Sequence, residues 1–328
     1  MDKPVDLLSA IVIAGILAGC SSLPPLPETA AAATPTLKRL RAPAGAAHAA
    51  VKAEPATTPV PFIDAHVHLN DEAVQLELMQ RHGVDRAVVF WGRSSDNAAV
   101  AESAARHPER FIAFASISPE RAAYRSGWDR DDPALLDTLD RLLASGRFRG
   151  IGEISVTHFP SPGFPEADYD PMGPTMTGVM GLARKHRVPV LLHVEWTRLN
   201  ELSALLARFP DVAVIWAHGG YTPLFVAERL LDRHPNLSYE LSARTWPLHP
   251  RSPDYTILRD GEHVWPQWLA LIEARPDRFL VGTDASQRSA ASDSLKFASV
   301  QSFLRQLSPA TRDQVARSNL LRLLDAPR

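Results

Sequence analysis

Across residues 61–328, short apolar runs alternate with amphipathic stretches, and the alternation is regular enough to predict a fold. The runs read PFIDAHVHL, DRAVVFWG, RFIAFASIS, FRGIGEIS, VPVLLHVE, VAVIWAHGG, LSYELSA and FLVGTDAS. They begin near Pro61, Asp85, Arg110, Phe148, Val188, Val212, Leu237 and Phe279. Near-continuous apolar runs of this length are the pattern of strands buried on both faces. Between them the spacing predicts helices over Asp71–His82, Pro133–Leu143, Arg198–Phe209 and Pro223–Arg233; in the last, Leu224, Val226, Ala227, Leu230 and Leu231 share one face. Eight strand–helix units predict an α/β chain whose parallel sheet closes into a single (β/α)8 TIM barrel. A doubly wound open sheet is the runner-up, but no glycine-rich phosphate loop follows any strand.

The first sixty residues break the pattern. Leu7–Gly19 is apolar, yet shorter than the roughly 20 residues of a membrane span, and its length and position suit the core of a secretory signal. Leu17-Ala18-Gly19-Cys20 resembles the lipobox of bacterial lipoproteins, which implies cleavage and a lipidated Cys20. The head carries Asp2 and Asp6 beside Lys3, so it is hardly basic, and a plain cleaved signal or a poor N-terminal anchor is the alternative. Ser21 stands where an Asp would suggest inner-membrane retention, a hint toward the outer membrane, facing the periplasm. Residues 21–60 are rich in Ala and Pro without a sustained hydrophobic period, the composition of a disordered, extended linker. The expected organisation is therefore signal and lipobox over 1–20, linker over 21–60 and barrel over 61–328.

Composition narrows the function classes. The chain is 45% hydrophobic and 22% charged with a formal net charge of -2, an ordinary globular balance without the basic footprint of a nucleic-acid binder. Cys20 is the only cysteine, which leaves no intrachain disulfide and no cysteine-rich zinc site.

The strand ends carry the chemistry. In such barrels the active site lies at the carboxyl ends of the strands, and here those ends hold His66, His68, Glu153, His193, His218 and Asp284. Side chains alternate along a strand, so His66 and His68 point the same way, a pincer suited to one metal ion. Alone, an H-x-H in an apolar strand reads more readily as a hydrogen-bonded core pair. Six ligand-type residues at five strand tips shift the balance, because a buried carboxylate such as Glu153 or Asp284 is costly without a partner. Imidazole with carboxylate favours one or two divalent ions, zinc first, with manganese, iron or nickel as alternatives. Such an ion lowers the pKa of a bound water toward about 7. Asp284 is the candidate to orient that water, take its proton and pass it to the leaving group. His218 is left between two roles, ligand of a second ion or polariser of the scissile carbonyl.

The remaining histidines have plainer readings. His82, His107, His186 and His234 fall in the last turns of predicted helices, where an imidazole caps carbonyls. His158, His249 and His263 fall in long loops, and His48 in the linker.

Trp91-Gly92-Arg93, Trp196-Thr197-Arg198 and Arg244-Thr245-Trp246 each pair a tryptophan with an arginine just beyond a strand. Aromatic walls with a guanidinium suit a small organic acid. Arg93, Trp196, Arg198, Arg244 and Trp246 are therefore candidate substrate contacts, set against the ordinary reading of an arginine as a solvated charge. The insertions Phe159–Pro174 and Arg244–His263 are long enough to form a partial lid.

The ordered set DAHVH, GIGEIS, LLHVE, WAHGG and GTD, with the late SNLLRLL, resembles the amidohydrolase superfamily of metal-dependent hydrolases, in particular its amidohydrolase-related (amidohydrolase 2) branch, over Pro61 to Leu324. The resemblance implies a barrel in which His66, His68 and Asp284 bind metal, His193 is a further ligand, and His218 is a ligand or catalytic group. Many two-metal members carry a modified lysine at the end of the fourth strand, and some one-metal members have no ligand there; this chain has Glu153 in that place, as in the TatD-like deoxyribonuclease branch. Glu153 then either bridges two ions roughly 3.5–4 Å apart or hydrogen-bonds the neighbouring histidines. The expected activity is metal-dependent hydrolysis of an amide, ester or lactone of a small molecule. The alternatives are a metal-dependent decarboxylase of the same branch, a TatD-like nuclease, which the acidic balance disfavours, and a non-catalytic metal-binding envelope lipoprotein. The expected partners are a small molecule and, through the lipid anchor, a membrane; the sequence does not give the oligomeric state.

Overall fold

Each of the eight apolar runs becomes one strand of a parallel barrel. The computed structural model describes residues 58–160 and 165–325; the expected signal, Cys20 and nearly all of the linker lie outside the described residues. The strands are β1 (Phe62–Leu69), β2 (Val84–Trp91), β3 (Phe111–Ala115), β4 (Gly150–His158), β5 (Ala167–Asp168), β6 (Val190–Val194), β7 (Val214–Trp216), β8 (Leu237–Glu240) and β9 (Phe279–Leu280). They pair in the order β1-β2-β3-β4-β6-β7-β8-β9, with β5 attached to β4 alone. The residues after β9 close the circle against β1. Ala65 N donates to Val281 O, Asp284 N to His66 O and His68 N to Ala285 O, each at 2.9 Å. The wholly buried Asp64 clasps the same seam, its carboxylate accepting from Thr283 N at 2.9 Å and Thr283 Oγ1 at 2.6 Å. Burial pushes its pKa up to about 7, against those hydrogen bonds. The Asp of DAHVH thus joins two strands.

The helices form where the pattern predicts them. Asp71 caps the first, Glu72–His82, by accepting from Val74 N, and Asp132 caps Pro133–Ala144. Leu199–Arg208 and Leu224–Arg233 follow β6 and β7 and bury Leu202, Leu205 and Leu206, and Ala227, Leu230 and Leu231, against the sheet. Each such leucine contributes about 1.5–3 kcal/mol of burial. No helix among the described residues is long and apolar enough to cross a membrane.

One region departs from expectation. β4 runs past the barrel mouth to His158, because Thr157 and His158 find an antiparallel partner in Asp168 and Ala167 of β5. Glu153 therefore lies in mid-strand, and His158, expected in a loop, ends a strand. His82 and His186 close their helices, and His107 and His234 cap theirs.

Candidate metal centre

On the seam side, alternation along β1 sends His66 and His68 to the same face, and each ring is fixed from behind. His66 Nδ1 donates to Glu240 Oε2 at 3.2 Å, and His68 Nδ1 to the Trp91 carbonyl at 3.1 Å. Both partners only accept, so the lone pair of each ring sits on Nε2 and faces inward. From there His66 Nε2 lies 3.5 Å from Glu153 Oε2 and 3.7 Å from Asp284 Oδ1. For His68 Nε2 the distances are 3.3 and 3.5 Å. Four donors round a tetrahedral ion with bonds of about 2.0–2.2 Å sit about 3.3–3.6 Å apart. The buried His66 Nε2 has no hydrogen-bond partner, as a ligand nitrogen requires.

On the far side, the other oxygen of Glu153 meets a second pair. Oε1 lies 2.9 Å from His193 Nδ1 and 3.8 Å from His218 Nε2. His218 Nδ1 donates to the Ser242 carbonyl at 3.0 Å, again leaving Nε2 for the centre. The ring is delivered by a left-handed turn after β7, with φ of 55°, 51° and 56° at His218, Gly219 and Gly220 and 56° at Tyr221. L-residues resist that conformation, and glycine is needed in the middle for a second reason: a Cβ at Gly219 would lie 1.8 Å from Tyr239 Cζ. Tyr221 stacks on His218 at 5.1 Å and on Tyr255 at 4.4 Å, roofing this half.

Two buried carboxylates form the backing layer. Glu240 binds His66 Nδ1 and also accepts from His218 N at 3.3 Å, Ser242 N at 2.5 Å and Ser242 Oγ at 2.7 Å. Gly282 makes room for it, since a Cβ there would lie 2.4 Å from Glu240 Oε1. Glu195 Oε1 faces His193 Nε2 at 3.3 Å and accepts from Arg251 Nη1 at 3.0 Å, and Oε2 accepts from Phe159 N at 3.1 Å. The Arg251 guanidinium lies over the rings of Tyr221 and Tyr255.

The electrostatics of this centre call for positive charge. Burial opposes a charge on His66 and His193, yet Glu153 with Glu240 raises the first well above an ordinary histidine, and Glu153 with Glu195 raises the second to about 10. Burial and then the charge on His66 and His193 push His218 well below. Burial, with Glu153 nearby, raises Glu120. A divalent cation answers the same carboxylates that those protons answer.

The four predicted strand-end histidines therefore meet around Glu153, and Asp284 meets His66 and His68. Ligand atoms within 4.8 Å of one another group His66 and His68 with Glu153, and His193 and His218 with Glu153. The loop residues behave differently. Arg198 is bound by both oxygens of Asp168 at 2.8 and 2.9 Å. Arg244 is buried, donates to the Thr222 carbonyl at 2.9 Å and lies over Trp268; these partners, and none of the four strand-end histidines, engage its guanidinium. Arg93 and Trp196 are exposed. Trp246 does reach the seam, donating to Thr283 O at 3.3 Å. A cleft of ≈ 290 Å³ opens beside the far side, lined by His158, Phe159, Asp168, Glu195 and Arg198 among others. Sequence reasoning missed Glu240, Glu195, Glu120 and Arg251. Glu240 and Glu195 did carry a signal, a carboxylate inside an apolar run.

Fold and site together define a barrel protein with a candidate divalent-metal centre at the carboxyl ends of its strands. The chain belongs to the amidohydrolase family (amidohydrolase 2), whose profile matches residues 63–326. No curated protein matches it. Among solved structures it is similar to an uncharacterised TIM-barrel protein of Bordetella bronchiseptica, with a TM-score of 0.57, 18% identity and coverage of 81% of this chain and 98% of that one. It is also similar to a probable 2-pyrone-4,6-dicarboxylic acid hydrolase of Acinetobacter baumannii with citric acid bound, with a TM-score of 0.54, 13% identity, and 81% and 99% covered. A third is an amidohydrolase of Burkholderia multivorans with bound zinc, with a TM-score of 0.51, 14% identity, and 82% and 100% covered.

Proposed function

We propose that this protein is a metal-dependent hydrolase that cleaves an amide, ester or lactone of a small molecule at a two-ion centre bridged by Glu153. The observation that carries the reading is the division of Glu153 itself: Oε2 faces His66 and His68, and Oε1 faces His193 and His218. His66, His68, Asp284 and Glu153 would hold one ion, and Glu153, His193 and His218 the other, with zinc suited to these donors. A divalent ion there supplies Lewis acidity and a water that ionises near neutral pH. The chain's own residues do the rest. Side chains of His68 and Asp284 are 21% and 23% exposed, while those of Glu153, His193 and His218 are nearly sealed, so substrate approaches past His68 and Asp284. The Asp284 carboxylate accepts the proton of the attacking water and returns it to the leaving group. His218 is a ligand in this reading, since its Nδ1 hydrogen is committed to Ser242. Cys20 carries the lipid anchor that holds the barrel at the periplasmic face of the bacterial outer membrane.

The test is metal content, by elemental mass spectrometry, of the full chain purified without chelator or added metal. About two equivalents in the parent, falling with activity on an ester, lactone and amide panel in Glu153→Ala, supports the reading. A parent that holds no ion and takes up none on titration with zinc or manganese overturns it. Release of carbon dioxide, with no hydrolysis across the panel, would reassign the chemistry to decarboxylation.

A further inference from the structure

The three residues that deliver Asp284 have every backbone donor and acceptor engaged, and one of those partners is a charged side chain from a neighbouring helix. Thr283 N is held by Asp64, and Thr283 O accepts from Trp246 Nε1. Asp284 N donates to His66 O, and Ala285 O accepts from His68 N; Ala285 N donates to Thr283 Oγ1. The remaining group, the Asp284 carbonyl, accepts from Lys296 Nζ at 2.5 Å. Asp284 itself has φ of 52°, a left-handed conformation that costs a non-glycine residue free energy and persists only where its surroundings over-determine it. Lys296 lies in the helix Ala290–Arg305. Its ammonium is anchored twice more, 3.3 Å from the buried Asp293 Oδ1 and 4.6 Å from the centre of the Trp246 ring.

We infer that Lys296 is a positioning residue: its ammonium holds the Asp284 peptide in the left-handed turn and so aims the Asp284 carboxylate at His66 Nε2 and His68 Nε2. Sequence alternation alone would not aim it, because a strand residue with extended backbone presents its side chain differently. A charge-assisted hydrogen bond is roughly twice as strong as a neutral one, which suits the task of holding a strained peptide. Through Trp246, the same ammonium ties the Arg244–His263 insertion to the aspartate.

The consequence for metal binding rests on the reading above, but the backbone consequence does not, so the test has two arms on the full-length chain. In the first, hydrogen exchange by mass spectrometry compares metal-free parent, Lys296→Met and Lys296→Arg. The Thr283–Ala285 amides should exchange at least tenfold faster in Lys296→Met and stay near parent in Lys296→Arg, with Val190–Val194 unchanged in both. Parent-like exchange in Lys296→Met overturns the inference whether or not the protein binds metal. Should Lys296→Met fail to fold, Asp293→Asn, which loosens the lysine without touching Asp284, should speed the same amides about threefold; no change there overturns it equally. In the second arm each protein is titrated with cobalt(II), whose visible absorption reports donor geometry. Lys296→Met should bind at least tenfold more weakly with an altered band, and Lys296→Arg should restore both; an unaltered band and affinity in Lys296→Met overturn the inference. A parent that takes up no cobalt refutes the metal reading alone, and the exchange arm still decides this one.

Discussion

The two halves of the centre share Glu153 but are built differently. The seam half takes two Nε2 nitrogens from one strand, and its Asp284 stands in a strained turn that reaches water. The far half takes Nδ1 from His193 and Nε2 from His218, on separate strands, and is sealed beneath Tyr221 and Tyr255. Backing differs too. Glu240 braces His66 and the His218 turn from beneath the barrel mouth, whereas Glu195 braces His193 and is itself held by Arg251 from a loop. The lesson is a difference in access: the seam half is open to water at His68 and Asp284, and the far half is closed.

That comparison can be broken at four points. Removing the shared carboxylate should do most: Glu153→Ala should lose both ions and activity by more than about 1,000-fold, as read by metal content and turnover. Asp284→Asn should cost about 100- to 10,000-fold in turnover, the range of a lost general base, while the far half keeps its ion. Equal loss of both ions would show that the halves are not independent. Glu240→Gln should weaken metal affinity by about 10- to 100-fold, the usual cost of a lost outer partner, measured by chelator competition. Arg251→Met should cost less than about tenfold, because Glu195 keeps its hydrogen bond from Phe159 N. Apart from the centre, Cys20→Ser should abolish incorporation of labelled palmitate and leave metal content unchanged.

Much of this was legible in the chain. Strand positions announce both burial and direction, so His66, His68, Glu153 and His193 are gathered by alternation alone, and eight apolar runs gave eight barrel strands; His218 and Asp284 close the same apolar runs but lie just past their strands, where left-handed backbone and not alternation aims them. Loop positions announce neither. Arg198 and Arg244 sit in the same local pattern as a carboxylate grip, yet Asp168 takes one and the Thr222 carbonyl with the Trp268 ring takes the other. Those partners are 30 residues away for Arg198 and 22 for the Arg244 carbonyl acceptor, and nothing local names them. Glu240 is legible as the only charge in LSYELSA. Arg251 was not, since only the folded insertion brings it over Tyr221.

The clasp between β1 and the residues after β9 has a consequence for how the molecule comes into being. Asp64 and Thr283 are 219 residues apart, so the seam half can be assembled only when the last barrel strand has arrived. A growing chain that has made His66 and His68 still lacks Asp284. An ion shared among the three would bind the finished chain in preference to any fragment of it, and would act on the unfolded ensemble as a reversible cross-link over nearly the whole barrel. Metal capture would thereby be a check on completeness: a chain that stops before its eighth barrel strand lacks both the closure of the cylinder and the Asp284 carboxylate of the seam half.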